Sequence, residues 1–265
     1  MPADYHSHTP LCRHATGVPA AYVDAAIAAG LSEYGISDHA PQSPEPFDDW
    51  RMREDQLPEY FDWLASARDH AAGRIPVRAG LECDWLPGNE RWIENLATRY
   101  PWDYLIGSVH YLGSWDFDNP GKISIWSTSD VEDIWVRYWK TYGEMAATGF
   151  FDILGHPDLV KKFGNVPGGD LNRFYEPAID AIASSGAAIE INTAGWHKPC
   201  ADAYPDSAFL ELACSAGVPL VISSDAHAPA EVGRDFAKAI NRAKSAGYRE
   251  TLLFNQRQRI PEALP

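Results

Sequence analysis

The sequence has no long apolar run. No stretch reaches the roughly 18 consecutive hydrophobic residues of a membrane-spanning helix. It also lacks a basic block: Lys161-Lys162 is the sole lysine pair, and 37 acidic against 22 basic residues leave a formal net charge of −15. Such a balance argues against long nucleic acid or an anionic membrane as partner. A small anionic substrate stays open, because bound cations reverse the local sign. Cysteine is scarce. Cys12, Cys83, Cys200 and Cys214 form no CxxC pair, which excludes a disulfide framework and suggests free thiols in a reducing compartment. The opening "MPADYHSH" has neither a basic segment nor an apolar one, so no secretory signal is expected and the cytoplasm is the default location. Repeats, low-complexity tracts and interdomain linkers are missing as well. With 265 residues, 45% of them hydrophobic, the chain is expected to fold as a single domain over 1–265.

What is present is histidine in an uneven distribution. Three of the nine histidines, His6, His8 and His14, fall within "DYHSHTPLCRHA". The rest of the chain has a rhythm of short β-prone runs at 3–7, 33–38, 76–83, 103–110, 151–156, 187–193 and 219–225. Helix-like segments at 19–30, 56–73, 89–99, 130–148, 170–185, 205–216 and 231–246 separate them. Asp130, Asp170 and Asp206 stand where helix N-caps belong, and Gly30, Gly149, Gly186, Gly217 and Gly247 stand where helices end. Alternating strand and helix predicts an α/β fold with a mostly parallel sheet. Seven such units suggest a barrel, with a doubly wound open sheet as the alternative. The Pro-rich stretch 40–50 and the stretch 113–127 read as long functional loops.

Polar residues collect at the C-terminal ends of the predicted strands. His6 and His8 end the first, Asp38-His39 the second, and Glu82 with Asp84 the third. His110 ends the fourth and His156 the fifth. Glu190 and Asn192 lie on the sixth, and Asp225 and His227 end the seventh. In a parallel barrel these ends open on one face, where active sites are built. Period two sends His6 and His8 to the same side, and Asp225-x-His227 repeats that geometry. Seven imidazoles with at least two carboxylates exceed the needs of one tetrahedral zinc. They suit two or three ions, with a carboxylate such as Glu82 bridging a pair. Imidazole-rich donor sets favour Zn, Mn or Fe over Ca.

Together "DYHSHTPLCRHA", "ISDHAP", "GLECD", "IGSVHYLG", "ILGHPDLVKKFG", "EINTAG" and "SSDAH" resemble the PHP (polymerase and histidinol phosphatase) superfamily, and within it the monofunctional histidinol-phosphate phosphatases. The resemblance runs from about residue 3 to about residue 254. It implies a distorted (β/α)7 TIM-like barrel of the PHP fold carrying three divalent transition-metal ions. By that resemblance His6, His8, Glu82 and Asp225 hold the first ion. His14, His39 and His227 hold the second, and Glu82, His110 and His156 the third. The implied reaction is hydrolysis of L-histidinol phosphate, a step of histidine biosynthesis, by a metal-bridging hydroxide, with Glu82, Asp225 and His227 as the catalytic ligands. Another small phosphate ester or a nucleotide is the alternative substrate. A non-catalytic metal-binding module and an amidohydrolase-type C–N hydrolase are the alternatives from other classes. The expected partner is a small phosphate ester, with no nucleic acid, membrane or obligate protein partner.

The substrate contacts are less sharply marked. Arg13, Lys161, Lys162 and Lys198 are candidates for the phosphate, Asn192 for a hydrogen bond, and Glu190, Asp158 or Asp116 for the amino group. His197 or a metal-bound water is the candidate proton donor to the leaving alkoxide. Tyr111, Trp115 and Phe117 form either an apolar wall against the imidazole or a loop plug. Trp50, Trp63, Trp92, Trp135 and Trp139 read as core or helix packing, and Cys12 and Cys83 as packed in the wall rather than as nucleophiles.

Overall fold

A computed structural model describes residues 1–265. The seven predicted helices form as α1 Pro19–Ala28, α2 Leu57–Ala71, α3 Glu90–Arg99, α4 Val131–Ala147, α5 Asn172–Ser185, α6 Ser207–Ser215 and α7 Phe236–Ser245. Two of the expected caps are made by side chains. Asp130 accepts from the Glu132 amide at 2.9 Å, and Asp206 from that of Phe209 at 2.9 Å. Each cap satisfies an amide that the first helical turn leaves unpaired.

The central sheet is parallel. β3 Glu82–Asp84, β4 Ile106–Ser108, β7 Ile153–Leu154, β8 Ala188–Asn192 and β9 Leu220–Ser223 pair in that order, and β1 Tyr34–Ile36 pairs with β2 Val77–Ala79. Isolated bridges extend both pieces. Asp4 bridges Tyr34, Ser7 bridges Ala226 beyond β9, and His39 bridges Glu82. The N-terminal segment therefore lies between the first strand and the last. Seven strands in one unbroken ladder do not form: residues 3–7, expected as a strand, make bridges only. Their side chains explain this in part. Ser7 Oγ bonds the Gly35 carbonyl at 2.9 Å, and the buried Asp4 carboxylate takes the Ser224 and Gly233 amides at 3.0 Å each.

Between the strands, at the end away from the histidines, a small core of Tyr5, Tyr104, Ile106, Ile153, Val221 and Phe254 fills the interior. Tyr104 donates to the Tyr5 carbonyl at 2.6 Å. Gly35 and Gly80 face this ring so closely that a Cβ at either would overlap it. Gly80 also separates β2 from β3, dividing what the sequence presents as one strand. The larger core lies between strands and helices. It buries Trp135 and Trp139 completely, as expected, while Trp63 and Trp92 pack partly buried against it.

Two hairpins were not expected. β5 Tyr111–Leu112 pairs with β6 Trp115–Asp116, and β10 Glu250–Asn255 with β11 Gln258–Ala263. The 113–127 stretch is thus not plain loop: it contains β6 and most of a 3-10 segment, Pro120–Thr128, that buries Trp126. Trp115 packs on Trp126 at 5.3 Å, and Phe117 is buried. Trp115 and Phe117 thus form a loop plug, while Asp118, Asn119 and Pro120 of the same stretch line the site cavity.

Candidate metal centre

The strand ends converge on one carboxylate. Glu82 is 1% exposed. Its Oε1 accepts from Ser108 at 2.6 Å and lies 3.0 Å from His156 Nε2 and 3.7 Å from His110 Nε2. Its Oε2 lies 2.7 Å from His39 Nδ1, 3.4 Å from His6 Nε2 and 3.8 Å from His8 Nε2. One carboxylate thus faces five imidazoles from four strand ends. Asp225 extends the array: Oδ1 is 3.0 Å from His8 Nε2 and 3.7 Å from His6 Nε2. His227 stacks on His8 with ring centroids 4.0 Å apart, and on His14 at 4.6 Å.

Donor atoms lie within 4.8 Å of one another in the sets His6–His8–Asp225, His8–His39–His227 and Glu82–His110–His156. The third coincides with the set expected for the third ion, and the first contains three of the four residues expected for the first, without Glu82. The second places His8 beside His39 and His227, while His14 groups with Cys12 and His227. His8 therefore stands between two positions.

Other groups aim the rings. Glu190 Oε1 holds His6 Nδ1 at 2.8 Å, and its Oε2 accepts the His156 amide at 2.7 Å. Asp84 holds His110 Nδ1 at 2.7 Å, and Asp38 faces His8 Nδ1 at 3.4 Å. Backbone carbonyls do the same for His14, through Cys12, and for His227, through Asp225. In these five rings Nδ1 is engaged and Nε2 is presented inward, the arrangement that fixes a metal-binding tautomer. His156 and Asp225 reach the centre from left-handed backbone, φ 26° and 54°, a strain that non-glycine residues carry mainly at functional sites.

The donor set fits divalent ions. His6 Nε2, His39 Nδ1, Glu82 Oε2, His156 Nδ1 and His227 Nε2 are buried with no hydrogen-bond partner. Buried polar atoms cost free energy unless something pairs with them, and cations would satisfy such a set. In the metal-free protein the conflict falls on the histidines. Burial opposes charge on His6, yet Glu190, Glu82 and Asp225 raise its pKa well above the usual value. Burial likewise opposes the carboxylates around His8 and His110, which still push both up to about 9. His39 and His227 go the other way, held well below the usual value by burial and by the nearby charge of His8. Glu82 stays far below the carboxylate range despite burial, because His6, His39 and His110 face it.

A cavity of about 570 Å³ opens over this cluster. Arg13, Lys162, Lys198 and Arg234 line it. Lys161 does not: it is 4% exposed and pairs with Asp158 at 3.0 Å and Asp202 at 2.8 Å. The short turn Leu159–Lys161 directs it inward and leaves Lys162 facing the cavity beside Asp118 at 2.9 Å. Asn192 lies beneath the cavity, where its amide donates to Asp225 Oδ2 at 3.1 Å and its Oδ1 accepts the Ala194 amide. His197 stands outside it, 44% exposed and 2.7 Å from Asp235. The three candidates for the amino group are already engaged: Glu190 as above, Asp158 with Lys161 and the Asp206 amide, and Asp116 with Lys122 and Asn119.

Trp50 corrects another expectation. It does not pack in the core but lines the cavity, edge-on to His39 at 4.7 Å and to His110 at 5.4 Å. Its neighbour Arg51, which the sequence does not single out, is buried. Arg51 bridges Asp48 at 2.6 Å and Asp84 at 2.7 Å. Neither residue carries a sequence signal, because the contacts that bring them to the site, Trp50 with His110 and Arg51 with Asp84, reach far along the chain.

A parallel sheet whose strand ends gather imidazoles around a shared carboxylate is the hallmark of a class, and the comparisons identify it. The PHP domain model matches residues 4–194, and the chain belongs to that family. Over 259 residues, 97% of this chain and 98% of the relative, it is 43% identical to a Deinococcus radiodurans protein named "probable histidinol-phosphatase". The Bacillus subtilis histidinol-phosphatase is 27% identical, covering 90% of this chain and 98% of that protein. Among solved structures, the Lactococcus lactis histidinol phosphate phosphatase, complexed with zinc, L-histidinol and phosphate, aligns with a TM-score of 0.78. It is 22% identical and covers 97% of this chain and 98% of its own. That likeness confirms the fold.

Proposed function

We propose that this chain is a metal-dependent phosphomonoesterase that hydrolyses L-histidinol phosphate to L-histidinol and inorganic phosphate, acting in the cytoplasm. The observation that carries the reading is the crowding of buried, unpartnered imidazole and carboxylate atoms around Glu82 beneath an open cavity. The near-full-length kinship with the Deinococcus radiodurans protein supports the substrate.

We assign His6, His8, Glu82 and Asp225 to one ion, His14, His39 and His227 to a second, and Glu82, His110 and His156 to a third. When bound, such ions (Zn, Mn or Fe) neutralise phosphoryl oxygens and lower the pKa of water so that it attacks at neutral pH. The chain's own groups do the rest. Glu82, whose two oxygens face different histidines, would be shared between two of these ions. Asn192 steadies Asp225. Arg13, Lys162, Lys198 and Arg234 offset the chain's acidity at the mouth, where a dianionic ester must enter. Lys161 acts from below, holding the turn that aims Lys162. Cys12 is no candidate for a phosphoenzyme: it is fully buried, and burial with the nearby Asp38 pushes its thiol up. Water attacks phosphorus and gives up a proton to solvent, the P–O bond to the alcohol breaks, and the leaving oxygen takes a proton from solvent in the open cavity, because His197 does not line it.

The test is phosphate release by metal-reconstituted protein from histidinol phosphate, nucleoside monophosphates and p-nitrophenyl phosphate. A clear preference in kcat/KM for histidinol phosphate is expected. Equal rates on all three would reject the substrate.

A further inference from the structure

Resting on the proposed substrate class, we propose that the turn Asp48–Arg51 is the specificity element of the site, with the Asp49 carboxylate receiving the ammonium group of the phosphate ester and Trp50 walling the remainder of the substrate. The cavity presents several carboxylates, and all but one are committed. Glu82 and Asp225 face the histidines. Asp118 pairs with Lys162, and Glu231 with Arg234 and the His227 amide. Asp49 lines the same cavity, is exposed, and has no cationic or hydrogen-bonding partner in the protein.

Its position is fixed by its neighbours. Asp48 Oδ1 accepts the Trp50 amide at 3.2 Å, which closes a tight turn with Asp49 at its tip. Asp48 Oδ2 is held by Arg51 Nε and by the Tyr111 hydroxyl, both at 2.7 Å. Arg51 in turn reaches Asp84, which orients His110. A chain of buried charges therefore ties this turn to the reaction centre, and a ligand-reading group mounted on a rigid support loses little freedom on binding. Trp50, next to Asp49, brings an aromatic ring to the same mouth, in contact with His39 and His110. A carboxylate beside an aromatic ring suits an ammonium group carried on a flat or apolar body.

The experiment compares wild type with Asp49→Asn and Asp49→Glu on two substrate pairs, histidinol phosphate against p-nitrophenyl phosphate and phosphoethanolamine against ethyl phosphate. In each pair only the first member carries an amine. Asp49→Asn is expected to lower the kcat/KM ratio of amine to non-amine ester about tenfold or more, chiefly through KM, as loss of a charge-assisted bond requires. Asp49→Glu should restore much of it. L-histidinol, as an inhibitor of p-nitrophenyl phosphate hydrolysis, should weaken in parallel. Ratios that Asp49→Asn leaves unchanged, or a wild type indifferent to the amine, overturn the proposal. A wild type that favours amines but not histidinol phosphate would reject the substrate reading while upholding the role of Asp49.

Discussion

Arg51 and Asp84 form an ion pair of 2.7 Å inside the protein, with side chains 4% and 1% exposed. The far oxygen of Asp84 holds His110 at 2.7 Å. A loop residue thereby governs the tautomer of an imidazole in the centre. Removing one partner of a buried pair leaves the other charge uncompensated, at a cost of about 3 kcal/mol or more. Arg51→Ala is therefore expected to lower the urea midpoint strongly. The double variant Arg51→Met/Asp84→Asn, which leaves only the less buried Asp48 without its cation and still bonded by the Tyr111 hydroxyl, should recover part of the loss. A single variant as stable as wild type would contradict the pairing.

Glu82 and His227 are predicted to be indispensable to turnover but not to folding. Glu82→Gln and His227→Ala should each reduce kcat by at least a hundredfold or so, since even groups that merely orient ligands are worth about 10–100-fold. Circular dichroism should stay native, and the metal content should fall. Retained turnover in either variant would remove that residue from the centre.

The histidine pKa values predict proton release. His8 and His110, ordinarily near 6.5, are pushed up to about 9 in the metal-free protein, and His6 also lies well above its usual value. Imidazole must be neutral to bind a metal, so loading at pH 7.5 should expel about two or more protons. Calorimetric titration in buffers of different ionisation heat measures this number. In the metal-free protein, a pKa raised on folding stabilises fully below about 6.5 and progressively less as pH rises through 9. The apoprotein should therefore lose melting temperature over that window. An absence of proton release, or an apoprotein that gains stability there, would contradict the electrostatic picture.

Gly80 should tolerate no side chain. An added Cβ would overlap the ring of Tyr104, which is buried and hydrogen-bonded to Tyr5. Gly80→Ala is expected to destabilise by about 1–3 kcal/mol, as overpacked cores do. A neutral effect in chemical denaturation would mean that the ring has room to move.

Much of this arrangement was legible in the residues themselves. His6-x-His8 and Asp225-x-His227 announce their shared face through period two, and the rule that parallel strands end together gathers His39, Glu82, His110 and His156 with them. What escaped depends on contacts that have no local pattern. Lys161 and Lys162 are adjacent and chemically identical, and only the turn after His156 decides that the first is buried and the second faces the cavity. Trp50 and Arg51 are placed by Tyr111 and Asp84, 61 and 33 positions away. The C-terminal hairpin turns through Gln256 and Arg257, both with positive φ, where glycine or asparagine would have signalled the turn. The first strand was overdrawn because its side chains bond neighbouring strands and limit it to bridges.

The account rests on several divalent ions sharing the donors around Glu82, and the number of bound ions tests that most directly. Elemental analysis of the active, purified enzyme should find between about two and three transition-metal equivalents per chain, with turnover rising in step with occupancy. Full activity with one equivalent or none would contradict it.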